Sequence, residues 1–170
     1  AVGGLMGGLD AVFHGRRFFD GATVRKDVYA DVNVVAIKQE GNNNCLPASG
    51  ESVDRSLGGS TTQQDLRTAA GGSADTDPLQ SGEFWNDAFT NTTGKEVSVG
   101  DLSDVVSTLK DGGRVAAVLP GSNGVGHSVV IQKVFLQTVV KVNGTATSTV
   151  MYRIMDPATG SFRNVPLKDL

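Results

Sequence analysis

The chain has 170 residues, the length of one domain, and a chain of this size closes a core without a disulfide or a metal. Its 15 Lys and Arg against 18 Asp and Glu leave a net charge of −3, which argues against a nucleic-acid binder, since such domains carry a basic face. A single cysteine excludes an internal disulfide and a Cys-based zinc cluster, two histidines without an HExxH pattern offer no metal set, and no run of about 18 apolar residues reads as a membrane span.

Residues 1–31 differ in texture from the rest. "GGLMGG" and "HGRRFFDGATV" read as a Gly-rich lead-in, either flexible or carrying a short amphipathic helix. The segment has no basic leader of the signal-peptide kind and no initiating Met, which reads as a piece of something longer. "VNVVAIK" (32–38) is expected to be a strand that delivers the chain to Gln39. From Cys45 the spacing turns helical. Leu46, Ser49, Val53 and Leu57 recur with a helical period, Pro47 suits the first turn, and Gly58-Gly59 ends the run. Thr61 or Thr62, with Gln64 or Asp65 three residues on, forms a capping box for a second helix that Gly71-Gly72 closes. "EFWNDAF" reads as a short helix packing Phe84, Trp85 and Phe89. Leu102, Val105, Val106 and Leu109 form the apolar stripe of another, ended by Gly112. The period then changes to two. Strands are expected over 114–119, 127–142, 148–155 and 161–167, with Asn143-Gly144 as a hairpin turn whose two residues tolerate positive φ. Helices first and an antiparallel sheet second is an α+β layout, with 32–170 as one domain.

Cys45 is the only cysteine. Such a residue is either a small core side chain or a nucleophile. Its place at a helix start favours the second role, because the free N–H groups and dipole there, with a nearby imidazolium, bring a thiol from about 8.5 down to roughly 3.5–7.5. His127 opens a strand after "PGSNGVG", and Asp156 ends the strand that returns from Asn143-Gly144. A long hairpin returns to its starting end, so the two lie at one end of the sheet, a slip or a bulge away from contact. An acceptor on one ring nitrogen leaves the other free to face a thiol. Gln39, six residues before Cys45, can turn its amide toward the spot the Cys45 N–H faces, which would form an oxyanion hole. Asn44, Leu46 and Gly126 flank these groups and are the candidates to touch substrate. The bland readings are a core cysteine, a histidine beside an apolar strand, an Asp-Pro turn and a solvated glutamine. Trp85 and its Phe neighbours read as core, and His14 as a linker residue. "GSNGVG" is no phosphate loop, since no Lys follows it and it opens a strand. No cofactor is expected.

Gln, five residues, then Cys at a helix start, a later His opening a strand and then an Asp: this order resembles papain-like cysteine peptidases. It is more similar to the bacterial peptidases that resemble the bacteriocin-processing domains of export transporters, through "CLPASGESVDRSLGG", "GHSVVIQKV" and "MDPATG". The likeness runs over roughly residues 32–170. It implies a papain-like fold with Cys45 as nucleophile, His127 as general base and acid, Asp156 as the residue that orients His127, and Gln39 as oxyanion donor. Many members have Gly after the cysteine, where this chain has Leu46, which bears on the cleft and on substrate preference. "GGLMGGLDAVFHGRRFFDGATV" resembles the Gly-rich segment ahead of the variable C-terminal domain in Rhs-type polymorphic toxins. That implies a secreted toxin or effector, delivered as a monomer into a target cell, with a protein or peptide substrate and a cognate immunity protein. A glutamine deamidase or transglutaminase, an inactive binding module, and a domain that cuts its own lead-in are the other readings.

Overall fold

The computed structural model describes residues 22–121 and 124–170. In chain order the elements are strand β1 (Thr23–Asp31), helix α1 (Cys45–Ser56), helix α2 (Gln63–Ala70), and a helical segment α3. The last is built of a turn Ser81–Glu83, a π-helical stretch Phe84–Phe89 and a closing turn Thr90–Thr93. A 3-10 turn Leu102–Asp104 runs into helix α4 (Val105–Lys110), followed by strands β2 (Val115–Leu119), β3 (His127–Val140), β4 (Ala146–Asp156) and β5 (Ser161–Pro166). All strand pairs are antiparallel, in the order β1-β3-β4-β5, with β2 also paired to β3. This is an α+β architecture. Among the described residues no helix is long and apolar enough to cross a membrane.

Strand alternation divides the apolar residues between two cores, because successive side chains point to opposite faces. Val129, Ile131, Tyr152, Ile154 and Val165 face one way, with Val105 and Leu109 of α4. Val130 and Met155 face the other way, with Leu46 and Val53 of α1, Leu66 of α2, and Phe84 and Phe89 of α3. The second core holds α1, and therefore Cys45, against the end of the sheet where β3 begins.

Local signals hold at the helices. Thr62 caps α2 and exchanges bonds with Asp65 as a capping box. Phe84 and Phe89 are buried and Trp85 is partly so. In the stripe at α4, Val105 and Leu109 are buried, but Leu102 is 44% exposed because a 3-10 turn places it off the helical face. At the hairpin tip only Gly144 has positive φ (83°). The Gly144 N–H bonds the Lys141 carbonyl, the Lys141 N–H bonds the Thr145 carbonyl, and Asn143 accepts from the Thr145 N–H. The turn therefore needs one left-handed residue, not two.

Two expectations are corrected. Residues 23–31 are not lead-in: they form β1, paired with β3 from Thr23↔Val140 to Asp31↔Lys133. Of the rest of the expected lead-in, Ala22 is buried and residues 1–21, with His14, lie outside the described residues. Residues 32–38 are not a strand. The Val35 carbonyl accepts from the Ser52 hydroxyl at 2.6 Å and the Val35 N–H donates to Ser56 Oγ at 2.9 Å. Side chains of α1 satisfy this backbone, so it runs along the helix instead of joining a ladder.

Gly50, buried in mid-α1, illustrates the tightness of the second core. A Cβ there would lie 2.7 Å from Leu66 Cδ1, 3.0 Å from Phe84 Cζ and 3.2 Å from Phe89 Cδ2. Alanine gains about 1 kcal/mol of helix propensity over glycine, while overpacking a closed core costs about 1–3 kcal/mol. Three neighbours at once put the site at the upper end of that cost. Gly50→Ala is expected to be net destabilising by about 1–2 kcal/mol, and thermal unfolding checks it; a raised Tm would show that the core yields freely.

Candidate active site

Cys45 is the first residue of α1, and Pro47, in the same turn, has no N–H to satisfy. Its thiol is hydrogen-bonded to His127 and receives the backbone N–H groups of Ser128 and Leu46. Burial alone pushes the thiol up. The His127 hydrogen bond, the Ser128 N–H, the imidazolium charge and the Leu46 N–H together outweigh it and hold Cys45 below its ordinary value.

His127 opens β3. Its Nε2 lies 2.6 Å from Asp156 Oδ1 and donates to it, which leaves Nδ1 as the ring nitrogen for Cys45. The Cys45 hydrogen bond raises the imidazole above its ordinary value; burial opposes this, and the Asp156 bond and charge add to it. Burial pushes the Asp156 carboxyl up, but bonds from His127, from Arg163 and from the Ala158 N–H bring it below the usual carboxylate range. The Asp156 side chain is only 9% exposed. The three candidate triad residues are thus one hydrogen-bonded chain.

A single irregularity in the sheet makes that chain possible. Between Ile131 and Lys133 the β3–β4 register shifts by one, with Gln132 as the bulged residue. Below the bulge Val130 pairs with Met155, so the next rung sets Asp156 beside Val129, two residues from His127 and on its face. In the register above the bulge Asp156 would stand opposite Val130 and point to the other face. Both conditions come from an odd residue in a strand of period two.

The loop into Cys45 is braced from both sides. The Gln39 N–H bonds the Pro157 carbonyl at 2.8 Å, and Gly160, at φ 67°, lets Lys38 pass with no side chain between. On the other side Gln63 is a buried hub. Its Oε1 accepts from the Glu40 N–H and from Asn44 Nδ2, each at 2.9 Å, and its Nε2 donates to the Lys38 carbonyl at 3.0 Å. The Gln63 N–H in turn donates to Glu51 at 2.8 Å. A buried Ser128–Ser49 hydroxyl bond of 3.0 Å ties β3 to α1 next to the Cys–His pair.

The remaining candidates behave differently. Gln39 gives its Nε2 hydrogens to the carbonyls of Gly41 (2.9 Å) and Asn42 (3.1 Å), so its amide braces the loop and is not turned outward as an oxyanion donor. The competing acceptors are its own loop carbonyls. Asn44 and Leu46 do not offer side chains to a substrate: Asn44 is 2% exposed and bonds Gln63, and Leu46 is 6% exposed in the core. Leu46 serves the site through its N–H. Gly126 is exposed, but a Cβ there would lie 2.3 Å from Val118 Cγ1, so strand packing already requires the glycine.

Arg163, Gln63 and the Ser49–Ser128 pair were not visible as site residues in the sequence. Arg163 lies in a predicted strand, and only its two-residue alternation with Val165 hinted at its face. Among the described residues no group of three or more His, Cys, Asp or Glu is placed to hold a metal. What the arrangement can do chemically is ionise one thiol and supply it with a proton carrier held in a single tautomer. Comparison with protein-family models, curated proteins and solved structures returns no match to this chain.

Proposed function

We propose that the chain is a papain-like cysteine hydrolase that cleaves peptide bonds. The observation that carries this reading is the continuous chain from the Cys45 thiol through His127 to the buried Asp156 carboxylate. The Cys45 thiolate attacks the carbonyl carbon, a C–S bond forms and the carbonyl oxygen becomes an oxyanion beside the Cys45 N–H. Imidazolium His127 gives its proton to the leaving amine as the C–N bond breaks. Neutral His127 then takes a proton from water, the hydroxide adds to the thioester, and the thiolate leaves. Gln39 joins the oxyanion hole only by releasing a loop carbonyl, a rearrangement of the kind that substrate binding drives in sites that are loose when empty.

The resemblance of the lead-in to the Gly-rich segment ahead of the C-terminal domain in Rhs-type toxins extends the proposal to a secreted effector with a target-cell protein as substrate and an immunity protein as its antagonist. Cleavage in trans is favoured over self-cleavage near the start of β1. Thr23 pairs with Val140 at the far end of β3 from His127, about 40 Å away at about 3.3 Å per residue.

The test is incubation with a proteome-derived peptide library, read by mass spectrometry, for wild type and Cys45→Ala. New peptide termini made by wild type alone are expected. Glutamine converted to glutamate without new termini would establish the deamidase instead, and no change with either protein would leave a binding module.

A further inference from the structure

We infer that Arg163 is a positioning residue for the catalytic chain: its guanidinium fixes the plane of the Asp156 carboxylate and keeps it ionised while His127 gains and loses its proton. This rests on the hydrolase reading above. Asp156 Oδ1 takes His127 Nε2 at 2.6 Å and the Ala158 N–H at 3.0 Å, while Oδ2 takes Arg163 Nε at 2.8 Å. A carboxylate bonded through one oxygen swings about a broad torsion; donors on both oxygens fix its plane. The pairing Ile154↔Arg163 in β4–β5 places Arg163 on the face of Ile154 and Asp156, diagonal to the carboxylate. Tyr152 and Val165, one rung further in, are core on that face, so Arg163 stands where the apolar face turns polar.

Two features make this more than a surface ion pair. Asp156 is the only hydrogen-bond or ion-pair partner of Arg163 among the described residues, so the side chain has no other anchor in the fold. The carboxylate it holds is nearly buried, whereas Arg163 itself is half in solvent. In the cycle His127 is a cation only part of the time. When it is neutral, the Arg163 guanidinium is the one cation in contact with Asp156 among the described residues. The ionisable groups facing this carboxylate are His127 from β3 and Arg163 from β5, with Cys45 of α1 beyond the imidazole. Lys38, at Gly160, is exposed and makes no ion pair with it among the described residues.

The test is the pH dependence of iodoacetamide alkylation of Cys45 for wild type, His127→Ala, Arg163→Met and Arg163→Lys, with thermal unfolding of each. Arg163→Met is expected to move the thiolate midpoint up by roughly 0.5–1 pH unit, a modest shift because half of the guanidinium is solvated. Arg163→Lys is expected to recover part of the shift, since an ammonium restores the charge without the fixed Nε–H direction. A residue that only supports the fold would lower Tm and leave the midpoint in place. A wild-type midpoint in Arg163→Met overturns the proposal and leaves the hydrolase reading standing. Should that variant not fold, Arg163→Gln takes its place, and a wild-type midpoint there does the same. If wild type itself titrates as an ordinary thiol and His127→Ala changes nothing, both readings fall together.

Discussion

His127→Ala will return Cys45 to the titration of an ordinary thiol, near 8.5 or above it. The direction follows from the balance at the thiol. Burial is the largest single influence and raises it, and His127 opposes burial twice, through a hydrogen bond that is the largest lowering influence and through a positive charge. Without the imidazole, only the N–H groups of Ser128 and Leu46 remain to oppose burial. At neutral pH wild type is expected to alkylate faster than the variant, by about tenfold for each pH unit that separates their midpoints, because the thiolate is the reactive form. Peptide hydrolysis is expected to fall by about 10⁴ or more, as it does when one member of a unit of this kind is removed. The hydrogen bond between them lowers Cys45 and raises His127, so the two titrate as a coupled pair whose steps belong to the pair. Asp156 is held below the usual carboxylate range, so its contribution to stability is present above about pH 3.9 and is lost as pH falls through its folded value. The orienting carboxylate is therefore charged at neutral pH. A bell-shaped rate profile in wild type, lost in the variant, is the result to look for. Unchanged alkylation in both proteins would show that Cys45 is a structural thiol.

Gln63→Ala is the substitution expected to damage both fold and site. Gln63 is 4% exposed, and its side chain joins three groups: the Glu40 N–H, the Asn44 amide and the Lys38 carbonyl. Alanine leaves all three short of a partner beneath a loop that cannot collapse onto the space. A buried group left unpaired costs about 1–3 kcal/mol, and because the three are coupled and the loop can admit water, the expected loss is about 3 kcal/mol, not the sum. At about 2–4 °C per kcal/mol for a chain of this size, Tm should drop by about 6–12 °C. The residues released are those that carry Cys45 into α1, so reactivity at Cys45 should fall even at temperatures where the protein is folded. Gln63→Glu separates the parts: it keeps the acceptor for Glu40 and Asn44 and loses the donor to Lys38. A Tm within about 2 °C of wild type for Gln63→Ala would show that the loop is held from the Pro157 side alone.

Much of the scaffold could be read from local pattern. Leu46, Ser49 and Val53 recur at helical spacing, and Thr62 with Asp65 marks the start of α2, because both signals rest on neighbours within one turn. The His127–Asp156 contact was legible only to the level of one end of a hairpin. Whether the two share a face depends on one extra residue, and nothing about Gln132 distinguishes it as a bulge. The misreading of 32–38 has a similar origin. Val34 and its neighbours have strand propensity, but Ser52 and Ser56, far along the chain, capture the Val35 backbone first. β1 was hidden by the opposite error: "TVRKDVYAD" is too charged to look like core, yet it sits at the edge of the sheet, where its polar side chains face outward.

The residues able to do chemistry here are legible in the chain alone: one cysteine at a helix start, one histidine opening a strand, one aspartate closing the returning strand. So are the helix and hairpin lengths that bring them to one end of the fold, since those follow from periods of 3.6 and 2 and from turn residues acting locally. Long-range packing sets which face Asp156 presents, turns the Gln39 amide into its own loop, makes Gln63 the support of the approach to Cys45, and brings Arg163 behind Asp156. Each of those is a contact between residues distant in sequence, selected by a one-residue register or by competition among hydrogen-bond partners that exist only once the sheet and helices have met.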